Sequence, residues 1–262
     1  MAAGLSWSAA LRARYSRLAG MPVEYDLSRY RRQLDRIDAI GARGLSDTQL
    51  RSRFEAARRS AASGTPLDDL LPEVFALTGE ACARALGMRP FDVQMMAAVA
   101  LHEGRLAQLA TGEGKTLVAV MPAALNALAA RGVHVLTAND YLARRDAAWM
   151  GAAYRFLGLS AAAVTEHLDR ASRQSAYAAD VTYVTAKEAG FDFLRDQTVV
   201  EPADVVHRPF HYAIVDEADF ILFVEARVPL VIAGEADSPP VPHRDIAAAV
   251  RTLKPGVDFR VD

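Results

Sequence analysis

The run Thr111-Gly-Glu-Gly-Lys-Thr116 constrains what this chain can fold into more than any other feature of its 262 residues. It stands between residues 105–110, which read as a short strand, and an uncharged stretch at 116–130 that reads as a helix ended by Gly132. Glycines at such a junction let the backbone bend until consecutive N–H groups face inward and cradle phosphate oxygens. The helix start adds its own partial positive charge. Lys115 can then reach the β- and γ-phosphates of a nucleotide, and the Thr116 hydroxyl can ligate magnesium. Leu109 stands where the strict G-x-x-x-x-G-K-[ST] form wants glycine, so the match is to a helicase-type variant.

Downstream, strands and helices alternate. The apolar run at 133–137 reads as a buried strand, those at 181–185 and 212–215 as further strands, and Asn139-Asp140 can cap a helix over 141–157 that Gly158 closes. That alternation predicts a mostly parallel sheet with helices on both faces, binding ligands at the carboxyl ends of its strands. The last of these strands runs into Ala213-Ile-Val-Asp-Glu-Ala-Asp219, whose Asp216 lies 101 residues after Lys115. Asp216 is expected to hold magnesium, usually through water, and Glu217 to orient or deprotonate an attacking water. About twenty residues before Lys115, Phe91-Asp-Val-Gln94 offers an amide that suits the N6 and N7 edge of adenine, or simply an exposed glutamine at a helix start.

The first third is helical in pattern. Leu34, Ile37, Ile40, Leu45, Leu50 and Phe54 recur at helical spacing, Ser46 with Gln49 forms a capping box, and a second run at 70–86 ends at Gly87. With 52% hydrophobic and 24% charged residues the chain is an ordinary globular one, and a net charge of −2 argues against a nucleic-acid partner. The first 60 residues nevertheless hold twelve arginines against six acids, a basic stretch that could touch an anionic membrane surface or an acidic partner, or be a solvated helix face. Cys82 is the only cysteine, which excludes an internal disulfide. No secretory signal is visible and no apolar stretch reaches the roughly 20 residues of a membrane span, so the expected compartment is the cytoplasm. His102 and His134 lack metal-ligand spacing and are expected to be structural.

Several runs together resemble the SecA family of protein-export ATPases in order and spacing. These are Gly87-Met-Arg-Pro-Phe-Asp-Val-Gln94, Leu101-His-Glu-Gly104, the glycine-rich run itself, Asn139-Asp-Tyr-Leu-Ala-Arg-Arg-Asp146, Tyr177-Ala-Ala-Asp-Val-Thr-Tyr183, Gly190-Phe-Asp-Phe-Leu-Arg-Asp196, and residues 212–219 followed by Glu225-Ala-Arg227. The resemblance covers roughly residues 30–262. It implies an α/β fold: a P-loop, RecA-like, helicase-type motor domain with a mostly parallel sheet, preceded by an all-helical N-terminal segment. It implies ATP and Mg2+ as ligands, Gln94 as adenine reader, Gly112, Glu113, Gly114, Lys115 and Thr116 as the phosphate loop, and Asp216 with Glu217 as magnesium and water residues. The implied partners are a preprotein and a membrane translocation channel, with the chain peripheral to the inner face of the cell membrane.

The expected organisation is a loosely ordered 1–27, a helical 28–87, the motor domain at 88–234, and the start of a preprotein-binding insertion at 235–262. Val224 and Val228 depart from the Asp and Thr usual in the family, and Ala218 from its Val. Family chains continue into a second motor domain carrying an arginine finger, worth roughly 10³–10⁵ in turnover. This sequence is therefore expected to be an amino-terminal portion that hydrolyses ATP poorly alone. The competing reading is a DEAD-box RNA helicase, since residues 216–219 spell that motif. Against it, Asn139-Asp-Tyr-Leu-Ala-Arg stands where a P-T-R-E-L-like run is expected. A non-hydrolysing nucleotide-binding half-motor is the third.

Overall fold

The computed structural model describes residues 18, 26–231, 250–254 and 258. Most of the expected loosely ordered 1–27 and most of the expected insertion start at 235–262 lie outside them. The chain divides into two compact units, Met1–Leu230 and Val231–Asp262. In the second, residues 250–252 are helical and the Lys254 N–H donates to Asp258 Oδ2 at 2.8 Å.

The first unit opens with four helices: α1 (Ser28–Asp38), α2 (Asp47–Ala62), α3 (Leu67–Leu86) and α4 (Asp92–His102). Ser46 caps α2 as its spacing predicts. Its hydroxyl accepts from the Gln49 N–H at 3.3 Å, and Gln49 Oε1 accepts from the Ser46 N–H at 2.8 Å. Gly87, at φ +69°, ends α3. Leu71, Val74, Phe75, Leu77, Ala81 and Cys82 of α3 are all buried, because α3 packs on α1 and α2 and also on two helices of the sheet layer. Burial pushes the Cys82 thiol up to about 12, so it behaves as a small apolar side chain. His102 sits between Asp68, at 3.0 Å, and Asn126, at 2.9 Å, in the structural role its spacing suggests.

After the glycine-rich run come α5 (Lys115–Val118) and α6 (Val120–Ala127), joined through Ala119 in helical conformation. The sheet strands are β1 (Val133–Thr137), β2 (Ala161–Ala163), β3 (Val181–Thr185) and β4 (Tyr212–Val215), all parallel in the order β2-β3-β1-β4. Helix α7 (Asp140–Phe156) follows β1, with Asn139 Oδ1 accepting from the Leu142 N–H at 2.9 Å. Helices α8 (Arg170–Tyr177) and α9 (Ala186–Asp196) flank β3 in sequence. The period-two alternation of the strands serves two cores. Val133, Val135, Val181, Tyr183 and Ile214 join the large core shared with α2, α3, α6 and α7. Val184, with Leu136 against it, joins a small one with Val164, Ala176 and Tyr177. The fold is α/β, as expected.

One expected strand is missing: residues 105–110 belong to no strand. Leu106 is 83% exposed and Gln108 is exposed, so ordering this run into a ladder would bury little. Three elements went unread in the sequence: α8, α9, and β2, which is three alanines on the sheet edge.

The small core is supplemented by polar groups. Buried Arg173 bonds Glu188 Oε2 at 2.9 Å, Asp192 Oδ2 at 2.7 Å and the carbonyls of Thr165, Glu166 and Leu168, while the Tyr177 hydroxyl donates to Asp192 Oδ2 at 2.9 Å. Beside them His134 packs against the rings of Tyr177, His207 and Phe210, with centroids 5.7–6.2 Å apart. Burial first, then His207 and Arg208, push His134 down from 6.5 to about 4. Between these pH values the unfolded chain takes up a proton that the folded chain rejects. Its contribution is therefore complete above pH 6.5 and is lost as pH falls towards about 4, a change on the order of 3 kcal/mol. Urea unfolding at stepped pH is expected to show this fall, and His134→Phe to flatten it. An unchanged pH dependence in the variant would refute the assignment.

Candidate functional site

The candidate site takes its residues from the carboxyl end of β4, the start of α5 and the glycine-rich run before it. Strand β1 is paired on both sides, and the Asp216 N–H extends the β4 ladder by donating to the Leu136 carbonyl at 2.9 Å. That bond fixes the backbone of Asp216 at the mouth of the sheet. Burial pushes the Asp216 carboxyl above the usual carboxylate range. The Glu217 N–H, donating to Asp216 Oδ1 at 3.0 Å, opposes that, the charges of Glu217 and Asp146 add to it, and Lys115 opposes it. Lys115 and Asp216 are thus brought within electrostatic reach.

Glu217 is exposed, with φ +53°, in the left-handed region that a non-glycine residue enters at a cost of roughly 1 kcal/mol or more. Such outliers cluster at functional sites. The chain then tightens through a π-helical turn, Phe220–Val224, and a 3-10 turn, Glu225–Arg227.

The glycine-rich loop is open to solvent at Thr111, Gly112 and Glu113, while Gly114, Lys115 and Thr116 are half-buried. Gly112 and Gly114 have φ +88° and +74°, conformations that only glycine adopts without strain. At Gly112 a Cβ would meet nothing within 4 Å, whereas at Gly114 it would lie 2.6 Å from Gln94 Nε2. Gln94 itself is buried. Its Oε1 accepts from the Phe91 N–H at 2.9 Å, and its Nε2 donates to the Glu113 carbonyl at 2.8 Å. The sequence alternative of an exposed helix-start glutamine is therefore wrong in this fold.

The sequence reading passed over Asp146, which is 2% exposed on α7 and paired with its neighbour Arg145 at 2.7 Å. The signal was available. Ala143, Asp146, Ala147, Met150 and Tyr154 form the buried stripe of α7, and a carboxylate on that stripe needs a reason. The hydroxyl of Thr116 and the carboxylate of Asp216 are hard oxygen donors of the kind magnesium takes, and the crowding of Asp216 by Glu217 and Asp146 is charge that a divalent cation offsets. Among the described residues no group of three His, Cys, Asp or Glu could hold a metal ion. A separate cavity of about 430 Å³ opens at the ends of β1 and β3, lined by Asn139, Asp140, Arg144, Glu166, Lys187 and Glu225 among others.

Asp216 carries a testable sign. Its raised folded pKa means the folded chain loses stability as pH rises from 3.8 through that value, and the charged carboxylate disfavours the ligand-free fold above it. Asp216→Asn is therefore expected to raise the melting temperature at pH 7.5, by about 1–3 °C given its partial exposure. A lowered melting temperature would show that the carboxylate stabilises the ligand-free fold.

Residues 15–260 match the family model described as the SecA DEAD-like domain. The chain is 50% identical over 239 residues to the protein translocase subunit SecA of Heliobacterium modesticaldum, covering 90% of this chain and 28% of that protein. It is 53% identical over 218 residues to SecA of Carboxydothermus hydrogenoformans (83% and 25%) and 54% over 220 residues to SecA of Rubrobacter xylanophilus (84% and 24%). It thus spans about a quarter of the length of these relatives. Among the described residues no helix is long and apolar enough to cross a membrane.

Proposed function

This chain belongs to the SecA DEAD-like domain family, and on that premise we propose that it is the ATP-binding motor portion of a preprotein translocase. The observation that carries the proposal is the glycine-rich loop, with Gly112 and Gly114 at φ +88° and +74° leading directly into α5 at Lys115, while Asp216 stands at the carboxyl end of β4. In this reading Gly112–Thr116 cradle the phosphates through backbone N–H groups, and Lys115 places its ammonium on the β- and γ-oxygens. Magnesium, when bound, supplies charge neutralisation on those oxygens, and Thr116 and Asp216 would hold it, Asp216 through water. Glu217, exposed beside Asp216, takes the proton from a water whose oxygen attacks the γ-phosphorus as the bond to the β–γ bridging oxygen breaks. In the same reading Gln94, whose amide bonds the Phe91 N–H and the Glu113 carbonyl, also turns its remaining donor and acceptor capacity to the adenine edge.

The domain boundaries follow the same reading: helices over 28–87, the motor at 88–234, the beginning of a preprotein-binding insertion at 235–262. The end of the first compact unit at Leu230 supports a boundary near there. A preprotein and a membrane channel are the proposed partners, with the cytoplasmic face of the membrane as the place of work and the arginine-rich amino terminus available to anionic lipid. Efficient turnover is proposed to need residues beyond this quarter of the relatives' length, an arginine finger among them. The match to the SecA DEAD-like domain does not favour the RNA-helicase reading.

The test is a titration of a fluorescent ATP analogue with magnesium against the full chain and Lys115→Ala. Saturable binding that weakens at least tenfold in the variant is expected, with slow hydrolysis by the unsubstituted chain. Equal binding by both proteins would remove the phosphate loop from the account.

A further inference from the structure

The amide of Gln94 is 7% exposed and is spent on backbone at both ends. Only one orientation of the amide satisfies both partners: the Phe91 N–H requires an acceptor and the Glu113 carbonyl requires a donor. The first bond closes the start of α4, and the second reaches across 19 residues to the middle of the glycine-rich run. The third contact is steric. Gly114 passes so close over Nε2 that a Cβ there would sit 2.6 Å away, so the path of the loop is shaped around this side chain. Glu113 is otherwise exposed, and among backbone bonds its N–H makes only the 3.2 Å turn to Ala110, so the loop has few other ties to the body of the fold.

We infer that Gln94 is a positioning residue for the phosphate loop: its amide anchors the Glu113 carbonyl and holds the loop's N–H groups in place for phosphate whether or not a base is present. The inference rests on the phosphate-site reading above and deepens it. A side chain that only reads adenine has no effect on a ligand without a base, whereas a loop anchor acts on the phosphate chain itself.

The experiment compares MgATP with magnesium and inorganic tripolyphosphate, by calorimetry, on the full chain and on Gln94→Met and Gln94→Ala. Methionine fills nearly the same volume without the amide. The expected result is a loss of about five- to tenfold in affinity for tripolyphosphate, the size of one neutral hydrogen bond, and a loss at least as large for MgATP. A loss confined to MgATP, with tripolyphosphate binding unchanged, would overturn the inference and leave Gln94 as a base reader only. Amide hydrogen exchange in the ligand-free proteins gives a readout that needs no ligand: residues 110–117 are expected to exchange faster in Gln94→Met, and equal rates would count against the anchor. No saturable binding of MgATP or tripolyphosphate by the unsubstituted chain would instead overturn the phosphate-site reading, a distinct outcome.

Discussion

Everything at this site depends on β1 being paired on both edges. A parallel strand flanked by β3 and β4 has its backbone bonds fully committed, and its carboxyl end becomes a fixed origin for whatever follows the neighbouring strands. The bond from the Asp216 N–H to the Leu136 carbonyl is the last rung of that ladder, and it places a carboxylate at the mouth of the sheet without any side-chain support. The topology does the rest. The chain leaves β1 towards β3 and β2, then returns to lay β4 on the opposite edge, which opens a crevice at the end of β1 where strand order reverses. The topology thus places Asp216 at that crevice, and Lys115, at the start of α5 and 101 residues earlier in the chain, acts on it electrostatically.

The elements whose residues were legible are those where burial alone decides. Strands β1, β3 and β4 appear with the bounds their apolar runs predict: β1 and β3 are buried on both faces, and β4, exposed at Ala213, keeps Ile214 in the core. The Ser46 cap and the Gly87 stop were equally legible, because each is a local hydrogen-bonding or φ requirement. Illegible were elements whose stability comes from neighbours. Three alanines have no intrinsic reason to be β2, and α8, with its polar sequence, is held by Arg173 and Tyr177. The run at 105–110 failed the other way: Leu109 packs against the core, but Leu106 and Gln108 stay exposed, too little burial to order a ladder. At the site, the positions of Lys115, Asp216 and Glu217 were readable from spacing. The two buried polar partners, Gln94 on the loop and Asp146 on the apolar stripe of α7, became intelligible only with the fold in hand, although the stripe itself could have flagged Asp146.

The site is also where the chain departs from local preference. Asp216 is half-buried beside two other carboxylates, and Glu217 holds a left-handed backbone that a glycine would enter freely. Each is unfavourable for the fold by itself, and both fall in one dipeptide at the end of β4. A sequence under pressure for stability alone would place Asn and Gly there. Keeping two acids in that geometry makes sense where a cation and phosphate bring the compensating interactions.

The opposite face of the sheet shows how such a site can be carried. Its apolar cluster is small, four buried residues with a few half-buried neighbours, too few to hold α8 and α9 by area. The Arg173 guanidinium instead spends itself on two carboxylates and three carbonyls, and Asp192 takes in addition the Tyr177 hydroxyl and Arg195. Buried ion pairs of this kind add little net stability once desolvation is counted, yet leaving one member unpaired is costly. The network therefore enforces one arrangement of α8, the 165–168 loop and α9 against the sheet without tightening it by much. Since α9 begins directly at the end of β3, and β3 is bonded to β1 along its length, that arrangement bears on the same strand ends that carry the proposed site. Apolar packing on one face gives the sheet its stability, and polar pairing on the other gives it a single geometry.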